Sequence, residues 1–236
     1  MEFEDIIKAI GVKPYYQDEA VVIYHADCRD VLPQIPDKSI DLVLTDPPYF
    51  LPIQSYVGTR GKGYQKRMLG DLSVLKGYFE LIFSALSKVL SDSGTYYIFC
   101  DAKSYPIFWQ VMFPICKNVR LLIWDKMVSY NGYTWRHQHE LLAFGIRERF
   151  EQLPTGESDI LKCAAVPTED RFHLAEKPIS LLARILRKHF PAVVLDTYMG
   201  SGSLAVAATL SGNKYIGFEI DPAVAERARE RVRNTQ

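Results

Sequence analysis

Short apolar runs alternate along the whole chain with longer stretches in which apolar positions recur every three or four residues. That alternation belongs to a largely parallel sheet covered by helices. Seven segments read as strands: 20–25 (AVVIYH), 40–45 (IDLVLT), 94–100 (GTYYIFC), 119–124 (VRLLIW), 139–144 (HELLAF), 192–196 (AVVLD) and 214–219 (KYIGFE). Helical spacing over 73–91 (Leu75, Phe79, Ile82, Phe83, Leu86, Leu90) and 177–190 (Ile179, Leu182, Ile185, Leu186) predicts two helices packed on that sheet. A last helix starts where Asp221 can cap exposed amides and Pro222 fits the first turn. The fold class is therefore α/β, doubly wound and mostly parallel, with seven strands.

Composition narrows this further. A chain of 236 residues with 48% hydrophobic and 24% charged positions has the proportions of one globular core, which excludes disorder and fibre. We expect a single domain over 1–236. No stretch approaches the roughly 18 uninterrupted apolar residues of a membrane helix, and the acidic start MEFEDIIKAIG carries no targeting pattern. The four cysteines are scattered with no CxxC pair, which argues against zinc or a redox dithiol and fits a reducing cytoplasm. Twenty-eight basic residues balance 28 acidic ones, so any contact with a polyanion must be local. One basic segment is available. Residues 50–72 place Arg60, Lys62, Lys66 and Arg67 among glycines and tyrosines, which suits a loop that grips phosphates as well as an ordinary exposed loop. A second irregular stretch covers 145–175.

The chemistry-bearing residues lie at predicted strand ends, where open α/β sheets bind ligands. Asp46, Pro47, Pro48 and Tyr49 follow the strand 40–45. Consecutive prolines remove two N–H donors and leave carbonyls beside a carboxylate, so the cluster accepts hydrogen bonds but scarcely donates them. A flat heterocycle with an exocyclic amine matches it, stacked on Tyr49; adenine and cytosine both qualify. Asp196-Thr197-Tyr198-Met199-Gly200-Ser201-Gly202 follows the strand AVVLD and opens an alanine-rich helix, a nucleotide-cradling arrangement. Glu219, at the end of the next strand, can take the two hydroxyls of a ribose. Only G-x-G is present, which disfavours a dinucleotide site. Asp27, after the strand 20–25, adds a third acid at a strand end.

With these motifs in place the sequence resembles the beta class of S-adenosylmethionine-dependent DNA amino-methyltransferases, in which the catalytic motif precedes the cofactor motif. The resemblance spans nearly the whole chain and implies a circularly permuted, Rossmann-like methyltransferase sheet. TDPPY at 45–49 looks like the catalytic motif and DTYMGSG at 196–202 like the cofactor loop, with Asp196, Tyr198, Gly200, Ser201 and Gly202 lining it. HADCRDVL at 25–32 resembles the adenine-binding segment, with Asp27 toward the cofactor's amino group and the Cys28 amide near its ring. In KYIGFEIDP, Glu219 falls on the ribose and Ile220 against the adenine face. AEKPISLLARIL is similar to the helix over the methionine end, with Lys177. Tyr198, Thr197 and Ser203 replace the more usual Phe, Pro and Thr, and 145–175 is short for a target-recognition region.

The resemblance implies methyl transfer from S-adenosylmethionine, leaving S-adenosylhomocysteine, to the N6 of adenine in flipped-out DNA by in-line displacement. Asp46 and the Pro47 carbonyl would hold the amine, Tyr49 and Phe50 the base, and Arg60, Lys62, Lys66 and Arg67 the flanking phosphates. Adenine is preferred because Asp before Pro-Pro is commoner among adenine enzymes; cytosine N4 is the alternative. Less favoured are an RNA or protein-amide substrate and a silent cofactor-binding module. A homodimer and a cognate restriction enzyme are further implied partners. His137 and His139 share a face but lack a third ligand, so no metal is expected. Trp109, Trp124 and Trp135 read as core or rim aromatics, although Trp135 beside Arg136 could reach a base or phosphate, and nothing marks Cys28 as a nucleophile.

Overall fold

The computed structural model describes residues 1–48, 72–129, 134–149, 156–167 and 176–235. The chain enters through α1 (Phe3–Ala9), β1 (Tyr16–Gln17), β2 (Val21–His25), the short helix α2 (Cys28–Val31) and β3 (Ile40–Thr45). Helix α3 (Leu72–Val89) runs directly into β4 (Leu90–Cys100), and α4 (Tyr105–Met112), β5 (Asn118–Asp125), β6 (His139–Ile146) and β7 (Ile160–Lys162) follow. The last third alternates regularly: α5 (Ile179–Leu186), β8 (Val193–Asp196), α6 (Ser203–Leu210), β9 (Lys214–Glu219) and α7 (Pro222–Arg233).

These strands form one sheet in the order β1-β2-β9-β8-β3-β4-β6-β5-β7. β2, β9, β8, β3 and β4 are mutually parallel, while β6 runs antiparallel to both β4 and β5. Strand residues alternate between two cores, as a sheet buried on both faces requires. Val22, Tyr24, Val43, Tyr96 and Ile98 face α1, α3 and α4, whereas Val21, Ile23, Leu42, Leu44 and Tyr97 face α5, α6 and α7. Helix α6 is buried nearly all round, and its alanines let it sit close between sheet and neighbours. The expected cap of α7 is present: the Asp221 carboxylate accepts from the Ala223 and Val224 amides.

All seven expected strands form, and the sheet has two more at its edges. β1 and β7 are two and three residues long, too short to carry a period. β4 starts at Leu90 rather than residue 94, because the register against β3 jumps from Ile40↔Leu90 to Leu42↔Thr95 and absorbs the polar stretch 91–93 in a bulge. The Arg147 guanidinium fixes this irregularity by donating to the Leu90 carbonyl at 2.8 Å. Helix α5 begins at Ile179, not 177, since Pro178 has an extended backbone. Lys177 therefore lies on the approach to the helix. No helix among the described residues is long and apolar enough to cross a membrane.

Candidate functional site

Parallel pairing brings the carboxyl ends of β2, β9, β8 and β3 side by side, and each is followed or closed by an acid. Along the edge these are Asp27, Glu219, Asp196 and Asp46. Asp27 caps α2 through the Arg29 amide and also binds the Arg29 guanidinium, which holds its carboxyl below the usual carboxylate range. Arg29 lies 5.8 Å over the ring of Tyr78. Tyr78 and Tyr198 share a hydrogen bond of 2.6 Å. Burial raises the Cys28 thiol to about 11, so it is no nucleophile at neutral pH.

The glycine turn between β8 and α6 is built from this row. Gly200 and Gly202 have φ of 55° and 75°, a region in which side chains are strained. Their surroundings differ. A Cβ at Gly202 would stand 3.0 Å from Ala228 Cβ, so this glycine lets α7 pack on the turn. At Gly200 the nearest atom would be the Tyr198 carbonyl at 4.0 Å, so this face is open to a ligand. Glu219 braces the turn by accepting from the Gly200 amide at 2.9 Å and, with its other oxygen, from the Asp221 amide at 2.9 Å. Ser201 and Ser203 meet at 3.2 Å, and Arg231 ties Ser203 at 3.0 Å to the buried Glu176 at 2.5 Å. Ile220 is exposed on the rim.

Asp196 is fully withdrawn from water and is held by neutral donors alone: Thr45 Oγ1 at 2.6 Å, the Tyr198 amide at 3.1 Å and the Tyr215 hydroxyl at 3.1 Å. Burial pushes its carboxyl up to about 7, opposed by those hydrogen bonds, and Asp46 adds like-charge repulsion. The Thr45 contact joins the carboxyl ends of β3 and β8 through side chains, beside the parallel backbone pairing of the two strands.

Asp46 itself is partly buried, beside the buried Pro47 and the partly buried Pro48. Its Oδ2 lies 2.5 Å from Lys177 Nζ. Where the resemblance assigns Lys177 to the cofactor, its ammonium here bridges Asp46 and Glu140, the latter at 3.3 Å, and lies 4.9 Å over the Phe99 ring. Glu140 in turn pairs with Lys126 at 2.6 Å. Burial would raise Glu140 and lower Lys177, but the surrounding opposite charges win: Glu140 is held below and Lys177 above its ordinary value. In the sequence Glu140 falls inside the expected strand 139–144 and Lys126 two residues past the expected strand 119–124, so neither reads as a site residue. Their strand-end positions were the available signal, but their partners come from distant segments.

Other candidates divide clearly. Trp124 is core, donating to the Cys163 carbonyl at 2.8 Å, while Trp109 and Trp135 are exposed. His137 and His139 are exposed, and no group of three or more metal-ligand residues occurs among the described residues. Tyr49, Phe50, Arg60, Lys62, Lys66 and Arg67 lie outside the described residues, as does part of 145–175.

Comparison with known proteins decides the family. The model of the DNA methylase family of N6 and N4 methyltransferases matches residues 40–230, from the start of β3 into α7. The chain belongs to this DNA methylase family. The type II methyltransferase M2.MboI of Moraxella bovis is 26% identical, with 93% of this chain and 91% of that protein covered. Among solved structures, the cytosine-N4-specific PvuII DNA methyltransferase superposes with a TM-score of 0.72 at 17% identity, covering 96% of this chain and 94% of that one. The complex of M1.HpyAVI with SAM gives 0.68 at 18% identity, covering 90% and 98%. These likenesses establish the methyltransferase fold, and the family establishes an amino-methyltransferase of DNA.

Proposed function

We propose that this methylase transfers the methyl group of S-adenosylmethionine to the exocyclic N6 of adenine in DNA. The observation that carries the reading is the Thr45–Asp196 hydrogen bond, which couples the acceptor cluster at Asp46 to the glycine turn on the neighbouring strand. The residues present fit the cofactor. Gly200 leaves open space above the turn, Glu219 and Asp27 stand at adjacent strand ends, and the exposed Ile220 offers an apolar rim for an adenine ring. Capture of SAM by M1.HpyAVI, which shares the fold, supports the same assignment.

The sulfonium of bound S-adenosylmethionine supplies a methyl group already activated for transfer. The protein's task is then positioning. The Asp46 carboxylate and the Pro47 carbonyl accept the two hydrogens of the target amine, which draws its nitrogen toward tetrahedral geometry and aims the lone pair for in-line attack. Asp46 also stands where the proton leaves. A base within a duplex must flip out to reach this edge, with Tyr49 and Phe50 as the stacking partners and Arg60, Lys62, Lys66 and Arg67 on the flanking phosphates. In this reading 1–236 is one catalytic domain, with a substrate loop at 50–72 and target recognition at 145–175. A restriction-modification context, with a cognate endonuclease, is supported by the type II relative.

Asp before Pro-Pro favours adenine; the fold shared with a cytosine-N4-specific enzyme keeps cytosine as the second reading. The test is incubation with labelled S-adenosylmethionine and unmethylated DNA, then digestion to nucleosides and mass spectrometry. N6-methyladenine is the expected product. N4-methylcytosine would overturn the base assignment alone, and absence of any methylated base would overturn the reading.

A further inference from the structure

We propose that Glu140 is a positioning residue for methyl transfer, anchoring the Lys177 ammonium so that it holds the Asp46 carboxylate in place through one oxygen. The proposal deepens the function given above and rests on it. Four charges of alternating sign run across the edge from β3 to β5: Asp46, Lys177, Glu140 and Lys126, with successive contacts of 2.5, 3.3 and 2.6 Å. The interior members are largely shielded, Lys177 being 7% exposed and Glu140 23%. The groups facing them come from the neighbouring elements: Asp46 after β3, Phe99 and the Cys100 thiol on β4, Glu140 on β6, Lys126 just past the end of β5 and Lys177 ahead of α5.

Asp46 must present a fixed acceptor to an amine while staying ionised beside the buried carboxylate of Asp196. A lysine on a four-carbon stem is a mobile partner, and alone it could leave Asp46 for the incoming substrate or solvent. Glu140 gives that ammonium a second, fixed anion on a central strand, and Lys126 neutralises Glu140 so that the chain carries no net charge. Lys177 therefore remains on Oδ2. The arrangement serves adenine and cytosine equally, because both present the same donor.

The experiment compares kcat, and KM for S-adenosylmethionine and DNA, from pH 5 to 10 in wild type, Glu140→Gln, Glu140→Asp and Lys126→Gln. Glu140→Gln should lower kcat by about 10- to 100-fold with both KM values within about threefold, the signature of lost transition-state alignment. Glu140→Asp, which keeps the charge, should recover most of that loss. Lys126→Gln removes one of the cations holding Glu140 low, so the acid limb of kcat should move to higher pH, and the acid limb of thermal unfolding of the free protein should move with it. A kcat within threefold of wild type in Glu140→Gln, equal damage in Glu140→Asp, or acid limbs unmoved in Lys126→Gln would each overturn the proposal. Product formation by the wild type tests the function separately: methylcytosine in place of methyladenine leaves Glu140 its role.

Discussion

Asp196 and Glu140 are carboxylates at the same sheet edge, both largely withdrawn from water, and they titrate in opposite directions. Asp196 has only neutral partners, Thr45, Tyr215 and a backbone amide, so desolvation dominates and its carboxyl rises to about 7. Glu140 has two ammoniums, Lys177 and Lys126, and falls below its ordinary value despite burial. The edge is thus divided. One half, β9 and β8 with the glycine turn, satisfies its carboxylates with backbone amides and hydroxyls, and burial raises the Asp196 carboxyl. The other half, β3, β4, β6 and β5, is compensated internally through the Asp46–Lys177–Glu140–Lys126 row. Asp46 lies on the boundary.

The comparison breaks most sharply at that boundary. Asp46→Ala should reduce methyl transfer by roughly 100- to 1,000-fold, the loss typical of one preorganised polar group at a reacting centre, while the melting temperature stays near that of wild type because Lys177 keeps Glu140. Initial rates with saturating DNA measure it. Transfer within tenfold of wild type would remove Asp46 from the chemistry.

Next is the pH dependence of the neutral half. A carboxyl raised from 3.8 to about 7 in the folded protein is protonated there at pH values where the unfolded chain has lost the proton. Its contribution to stability is therefore greatest below about pH 4 and declines as pH rises to about 7, by up to roughly 4 kcal/mol. Asp196→Asn removes the titration and keeps the geometry, since the amide oxygen can accept from Thr45 and Tyr198 while its NH2 donates to the Tyr215 oxygen. Urea unfolding of the free protein at pH 4 and pH 7 should show a smaller drop in the variant; an identical drop would place the titration elsewhere. Smaller again is Thr45→Val, which deletes one donor to Asp196 at nearly constant shape. It should cost about 1 to 2 kcal/mol at neutral pH, where Asp196 needs that donor most, and less at pH 4.

The same division explains what could be read from the sequence. Strands buried on both faces announce themselves as apolar runs, which is why β2, β3, β8 and β9 stand where expected and why Asp27, Asp46, Asp196 and Glu219 fall in a row. Gly200 and Gly202 were legible as a turn, but not their different duties, because the approach of Ala228 to Gly202 depends on a helix some 25 residues later. The compensated half was hidden for a related reason. Glu140 sits near the start of β6 and Lys126 just past the end of β5 as ordinary polar positions, and only the pairing of β5 with β6 and the return of the chain at Lys177 makes them neighbours. Alternation predicts which face a side chain takes, not which distant charge meets it.

The smallest expected effect lies at the outer end of the row. Asp27 is also held by a cation, Arg29, yet the Arg29 side chain is 55% exposed, so solvent and salt screen the pair. Because the Asp27 carboxyl is depressed below 3.8, the stability it contributes is complete above about pH 4 and is lost as pH falls through the lower folded value. Arg29→Ala should therefore cost only about 0.2 to 1 kcal/mol at pH 7, less in 1 M salt, and progressively less as the pH falls through the folded value, as read by thermal unfolding. The Asp27 cap on the Arg29 amide survives the substitution and keeps α2 in place. A loss well above about 1 kcal/mol that persists in high salt would group Asp27 with Glu140, as a carboxylate whose cation is structural, and would extend the charge-compensated part of the edge to the cofactor end.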